Sequence, residues 1–332
     1  MKDLILTGRT GFERHESLLT EAAGPDASWL LMNNDKTLVT HSTGESATFD
    51  EARPTIAWCG LDIFRSPAGR RFFKLVQICP SLQWVQSAYA GHDALIWTDL
   101  LDRGVELTRA SISGVPIAEY VIGAVLRQFQ QPTEWEQARD TKSWTGHVFR
   151  EIDQSRWVVI GMGDIGRQVS ARASAFGAHV TGIRRSPQGD EPVHAMATPD
   201  GLVAAVADAD VVVLAVPANE DSNHLIGALE LESMPARCIL VNVGRGNAID
   251  ETALLKSLDE RDIEAAILDV FADEPLPEDS IWWTHPHVIM TPHVSSMGHG
   301  RYRRAAEVFA TNLTRRRSGL PLQGTLTAAD LL

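Results

Sequence analysis

The sequence predicts an α/β protein made of two units with parallel sheets, and three observations carry that prediction. Short apolar runs alternate with longer amphipathic stretches, the pattern of strands joined by crossover helices. The chain has 332 residues, enough for about two domains of roughly 150 residues each. Residues 157–166 run from an apolar strand into a glycine-rich turn that opens a helix.

In the first third, the apolar runs place strands over residues 4–7, 29–32, 55–59, 82–87 and 105–108, with helices near 12–22, 69–78 and 93–103. An apolar helix follows over 115–131, with Pro116 in its first turn, where a missing N–H is tolerated. Residues 132–155 are polar, with few apolar positions in register, and read as a connection. A second series places strands over 157–160, 179–183, 210–216, 238–243, 265–270 and 288–290, separated by helices near 165–176, 199–206, 228–234 and 251–261. Six strands with crossovers are what a dinucleotide-binding sheet requires. The tail over 300–317 has helical periodicity beyond the last strand and is expected to return to the first unit.

Thirty Lys and Arg against 43 Asp and Glu give a net charge of −13. A mean field of that sign repels phosphate, which argues against nucleic acid or an anionic membrane as the main partner. The three cysteines, Cys59, Cys79 and Cys238, are odd in number and far apart, without the spacing of a disulfide framework or a structural zinc site. The first apolar run is too short for a signal-peptide core, and no stretch reaches the roughly 18 apolar residues of a membrane helix. A cytoplasmic protein is the expectation.

The glycine-rich turn carries the most local information. In Gly161-Met-Gly163-Asp164-Ile165-Gly166 the first glycine allows a tight turn, the second lets backbone approach a pyrophosphate and the third lets helix and strand pack closely. The free N–H groups of the following helix would receive the pyrophosphate. An NAD site usually offers an acid about 20 residues on; here the second strand ends in Arg184-Arg185-Ser186. Two guanidiniums and a hydroxyl suit a 2′-phosphate, so NADP(H) is expected to be preferred, with NAD(H) possible.

Three strand ends downstream carry groups that act on carbonyl compounds. Arg245 stands between Gly244 and Gly246 after an apolar strand, and its planar fork suits a carboxylate. Glu274 follows the next strand, and His293 follows the last. Delivered to one edge of the sheet, they form an acid/base site. Arg245 would bind a substrate carboxylate, His293 would move the proton at the carbinol or keto oxygen, and Glu274 would orient the imidazole. His285, His287 and His224 lack the spacing of a metal site. The tyrosines, Tyr89, Tyr120 and Tyr302, have no lysine four residues on, which excludes the Tyr-x-x-x-Lys reductases, and the few cysteines exclude a zinc dehydrogenase.

These residues resemble the D-isomer-specific 2-hydroxyacid dehydrogenase family over roughly residues 82–323. The matching segments are LQWVQSAYAGHD (82–93), SGVPIAE (113–119), VVIGMGDIG (158–166), DADVVVLAVP (208–217), VNVGRG (241–246), LDVFADEPLP (268–277), TPHVSS (291–296) and GLPL (319–322). The resemblance implies two Rossmann-like or flavodoxin-like domains with an active-site cleft between them. The substrate-binding domain would be 1–114 plus 299–332, and the dinucleotide-binding domain 115–298. It implies Arg245, Glu274 and His293 as catalytic residues and backbone N–H groups of Tyr89, Ala90 and Gly91 on the substrate. Val216, Pro217, Asn219 and Ser222 would line the adenosine and ribose, with Asp269 near the nicotinamide amide and Val243, Gly244, Ser295 and Ser296 also on the cofactor. It further implies a homodimer through the cofactor domain.

The chain departs from the family pattern at Tyr89 and His92, at Arg184, and at Ser295 and Ser296. Glu274 argues against the formate dehydrogenase branch, which uses Gln there. The expected activity is NADP(H)-dependent reduction of a small 2-keto acid, such as glyoxylate or hydroxypyruvate, to the D-2-hydroxy acid. The alternative is a nucleotide-sensing, corepressor-like interaction protein on the same scaffold. Trp58 and Leu61 are expected to face the cleft, and Trp135 and Trp144 to enter it from a partner subunit.

Overall fold

The computed structural model describes residues 3–48, 50–88, 95–217 and 219–328. It divides into two compact units, Met1–Ile112 with His299–Leu332, and Ser113–Gly298. Each contains a seven-stranded sheet.

The first unit runs β1 (Leu4–Gly8), α1 (Arg9–Arg14), α2 (Glu16–Ala23), β2 (Ser28–Met32), β3 (Leu38–Thr40), β4 (Ser46–Ala47), β5 (Ile56–Cys59), α3 (Leu61–Arg65), α4 (Gly69–Ile78), β6 (Trp84–Ser87), α5 (Leu95–Asp102) and β7 (Glu106–Arg109). Its strand order is β4-β3-β2-β1-β5-β6-β7. The five expected strands pair in parallel. β3 and β4 were not expected, and they add two short antiparallel edge strands. With three and two residues, they are too short to show an alternation. The single helix expected over 12–22 is two helices, broken at His15, where φ is −133°.

The second unit runs α6 (Gly114–Gln130), α7 (Pro132–Asp140), β8 (Arg156–Ile160), α8 (Asp164–Ala175), β9 (His179–Ile183), β10 (Ala195–Ala197), α9 (Leu202–Val206), β11 (Val211–Leu214), α10 (Ala228–Ser233), β12 (Ile239–Asn242), α11 (Glu251–Glu260), β13 (Ala265–Leu268) and β14 (Val288–Met290). All seven strands are parallel, in the order β10-β9-β8-β11-β12-β13-β14. β11, β12 and β13 are buried at every residue, as strands covered on both faces by helices should be. α7 lies where a connection was expected. It starts on Pro132 and has Glu134 in its first turn and Arg139 in its last, which suits the helix dipole, but it buries no residue, so its sequence shows no apolar face.

The chain then returns to the first unit as α12 (Arg301–Arg317). Phe309 stacks on Trp58, with ring centroids 5.2 Å apart and planes 7° from parallel. Asn312 Nδ2 donates to Gln86 Oε1 at 2.8 Å, and both side chains are buried. Trp58 and Leu61, expected to face the cleft, are instead buried in the core of this unit, at 2% and 4% exposure. Both sit on or just after a central strand, where helices cover the sheet on either side. Among the described residues, no helix is long and apolar enough to cross a membrane.

Candidate active site

A cavity of about 800 Å³ opens at the carboxyl ends of β8, β9 and β11. Gly161 (φ +93°) makes the turn out of β8, and a Cβ there would stand 2.5 Å from the Ala215 carbonyl oxygen. A Cβ on Gly166 would stand 1.8 Å from the Gly161 oxygen, so α8 and β8 pack at a distance only glycine permits. A Cβ on Gly163 would meet nothing within 4 Å. That glycine lines the cavity at the N-terminus of α8, and its bare backbone leaves room for a phosphate beside the helix N–H groups. The donor set and the space both fit a dinucleotide.

The cavity also collects Arg184, Arg185, Ser186, Val216, Pro217, Asn219 and Ser222. The Asn219 side chain accepts from the Ser222 N–H at 3.0 Å, and the Ser222 hydroxyl donates to the Pro217 carbonyl at 2.7 Å. This box fixes the turn after β11. Arg184 pairs with Glu191 at 3.3 Å, and Glu191 also accepts the N–H groups of Gln188 and Gly189. Those bonds, that of Gln188 foremost, hold the Glu191 carboxyl below its ordinary range. Arg185 pairs instead with Asp221. Met162, Thr198, Asp200, Leu202, Asp221 and Leu225 line the same cavity and were not anticipated.

Asp164, Ile165 and Gly166 are not among its lining residues. The Asp164 carboxylate accepts the Gly114 N–H at 2.9 Å, so it ties α8 to the start of α6. Val243, Gly244, Asp269, Ser295 and Ser296 are not among its lining residues either; they follow β12, β13 and β14, and Gly244 packs against Val216 of the cavity wall.

Arg245, Glu274 and His293 follow three adjacent strands, β12, β13 and β14. Arg245 is exposed and donates to the Gly244 carbonyl at 2.8 Å. Its turn is clamped by buried Asn242, which accepts from the Gly244 N–H at 3.1 Å and donates to the Arg245 carbonyl at 2.9 Å. A Cβ on Gly246 would lie 1.8 Å from the Phe271 carbonyl carbon, so this turn rests directly on the backbone that leads to Glu274.

His293 Nδ1 lies 2.7 Å from Glu274 Oε2. Oε1 of the same carboxylate accepts the Phe271 N–H at 3.0 Å, which fixes the acid from its other side. Glu251 steadies this turn further, accepting the Ala272 N–H at 2.8 Å and the Trp282 indole N–H at 3.2 Å. The imidazole is about half exposed, at 48%. His293 has φ +52°, a left-handed conformation uncommon outside glycine.

Asp269 holds that turn in place. It is buried at 1% exposure, and its carboxylate accepts the N–H groups of Val294 and Ser295 and the hydroxyls of Thr291 and Ser295. The His293 N–H donates to the Asp269 carbonyl at 2.8 Å. Asp269 and Ser295, expected on the cofactor, are thus bonded to each other behind the histidine. The sequence offered a signal for these supports only as polar residues at strand ends, the Asn in VNVGRG and the Asp in LDVF.

Tyr89, Ala90 and Gly91, expected to contact substrate, lie outside the described residues. Trp135 and Trp144 are both exposed, Trp144 fully so.

A profile for the D-isomer specific 2-hydroxyacid dehydrogenase NAD binding domain matches residues 121–295. A glyoxylate reductase of Thermococcus gammatolerans is 37% identical over 254 residues, covering 72% of this chain and 75% of the relative. Glyoxylate/hydroxypyruvate reductase B of Citrobacter koseri is 32% identical over 244 residues, covering 70% and 74%. A D-isomer specific 2-hydroxyacid dehydrogenase of Xanthobacter autotrophicus, solved in complex with NADPH and MES, superposes with a TM-score of 0.72 at 28% identity, covering 100% and 99%. The chain belongs to the D-isomer specific 2-hydroxyacid dehydrogenase family, and it is an oxidoreductase with an NAD(P)-binding domain.

Proposed function

We propose that this protein reduces a small 2-keto acid, glyoxylate or hydroxypyruvate in kind, to the D-2-hydroxy acid with NADPH. The observation that carries the acid/base assignment is the 2.7 Å contact between His293 Nδ1 and Glu274 Oε2. It commits Nδ1 to the carboxylate and leaves Nε2 as the nitrogen that gives a proton to the keto oxygen. Glu274 orients the imidazole that serves as this acid, and Asp269 keeps the turn aimed. Arg245 presents an exposed guanidinium one strand away from the Glu274 turn and anchors the substrate carboxylate bidentately. The bound nicotinamide supplies the hydride.

The NADPH preference rests on Arg184, Arg185 and Ser186 at the end of β9, in the cavity that Gly163 leaves open. The names of the relatives support the substrate class, and the NADPH-bound homologous structure supports the cofactor. A panel of 2-keto acids assayed with NADPH and NADH tests both points. Better efficiency with NADH would overturn the cofactor assignment, and no turnover with any keto acid would favour the nucleotide-sensing alternative. Replacing His293 with Ala should lower kcat about 10²- to 10⁴-fold, the range of a general acid, while NADPH still binds.

We also propose that the protein works as a homodimer joined through the second unit. Trp135, Trp144, Val148 and Phe149, on and just after α7, are all exposed, at 40%, 103%, 100% and 42%. Large apolar side chains grouped so closely mark a surface that a partner covers. Sedimentation at micromolar concentration should return about twice the chain mass, and a monomer would refute the assignment.

A further inference from the structure

The two arginines of the cavity have acidic partners of different kinds. Glu191, which holds Arg184, is a fixed part of the loop: its side chain is 1% exposed and is bonded to two backbone N–H groups as well as to the guanidinium. Asp221, which holds Arg185, is 69% exposed, and its partner is 70% exposed. It sits in the turn after β11, whose geometry the Asn219–Ser222 box maintains without it. The Arg185–Asp221 pair therefore joins the end of β9 to the turn after β11, and both residues line the cavity.

Formal charge in the lining sharpens the point. Among the described residues of the lining, Arg184 and Arg185 are the cations and Asp200 and Asp221 the carboxylates, with Glu191 already paired to Arg184 from the loop. A 2′-phosphate entering beside Arg185 meets a cation that already has an anion, and it must displace that anion or share the guanidinium with it. The pair is exposed, so the exchange costs little.

We propose that Asp221 is a specificity-determining residue, a built-in carboxylate that occupies Arg185 until a 2′-phosphate displaces it and so lowers the advantage of NADP(H) over NAD(H). The inference rests on the assignment of Arg184 and Arg185 to the 2′-phosphate. Without Asp221 the cavity loses one negative charge and Arg185 loses its partner, and only ligands with the extra phosphate should benefit.

The test measures dissociation constants of 2′,5′-ADP and 5′-AMP for the full-length protein and for Asp221→Asn, by calorimetry at low and high salt. In the parent protein, 2′,5′-ADP should bind more tightly than 5′-AMP. Equal binding would refute the assignment of the arginines themselves. Given that preference, Asp221→Asn should tighten 2′,5′-ADP by about two- to fivefold at low salt, the span of an exposed pair, leave 5′-AMP unchanged, and lose the gain at high salt. Unchanged or weaker 2′,5′-ADP binding would overturn the role of Asp221 alone. A second variant, Asp221→Glu, restores the charge and should restore the parent value. If Asp221→Glu instead matches Asp221→Asn, the carboxylate is not the cause.

Discussion

The two sheets share a plan, but they treat the same feature in opposite ways. In each, an early strand lies inside the sheet, with successors on both sides: β1 between β2 and β5, and β8 between β9 and β11. The reversal of direction opens a crevice at the strand carboxyl ends. In the second unit that crevice is the cavity of about 800 Å³, with Gly163 bare at its floor. In the first, the Asp62 side chain fills it. Its carboxylate accepts the Gly11 N–H at 2.9 Å, and a Cβ on Gly8, Gly11 or Gly60 would lie within 2.7 Å of it. Burial pushes the Asp62 carboxyl above the usual range. Topology supplies the crevice in both units; Asp62 occupies the first, and Gly163 leaves the second open.

The comparison can be broken most severely at Gly166. Gly166→Ala would put a Cβ 1.8 Å from the Gly161 oxygen and should cost about 3 kcal/mol or more, seen as a lower denaturation midpoint. An unchanged midpoint would show that close helix–strand packing is not its role. Gly163→Ala should leave that midpoint in place, because its Cβ meets no protein atom. NADPH affinity should fall about ten- to a hundredfold, measured by calorimetry.

Asp62→Ala should cost about 1–3 kcal/mol of stability by leaving the Gly11 N–H unpaired, with no change in NADPH affinity. A loss of cofactor binding would mean the first crevice is not independent of the second.

The smallest effect concerns pH. The folded carboxyl of Asp62 binds its proton more tightly than the unfolded one. Stability therefore falls as pH rises from the ordinary carboxylate pKa to the raised one, and the charged form is a cost at neutrality. Asp62→Asn, whose amide oxygen still accepts from Gly11, should remove that decline. Unfolding curves across the acidic range would show the variant gaining on the parent as pH rises; parallel curves would contradict the sign.

Long apolar strands and the glycine turn were legible because each side-chain pattern reports its own burial. β3, β4 and β10 have three residues or fewer and lie toward sheet edges, and α7 has no buried face, so none carries a periodic signal. Arg245, Glu274 and His293 could be placed on strand ends from spacing and resemblance. Their supports could not, because Asn242, Glu251 and Asp269 act through bonds to backbone N–H and C=O groups that no residue pattern encodes. Glu191 shows the same limit: it reaches Arg184 from a loop that turns at Gly189, with φ +82°. Trp58 was misread because a large aromatic near a strand end looks the same in sequence whether it lines a pocket or stacks on Phe309.

Arg245, Glu274 and His293 follow neighbouring strands, so the hydrogen-bond repeat of the sheet, about 4.8 Å per strand, sets the spacing of the strand ends from which their turns depart. The sheet acts as a ruler. A slip in the register of β13 against β12 or β14 would misplace the acid relative to both neighbours, and so would loss of Glu251, which opens α11 and braces the Glu274 turn. The site should thus be sensitive to changes in the short strands β12, β13 and β14 from which its turns depart.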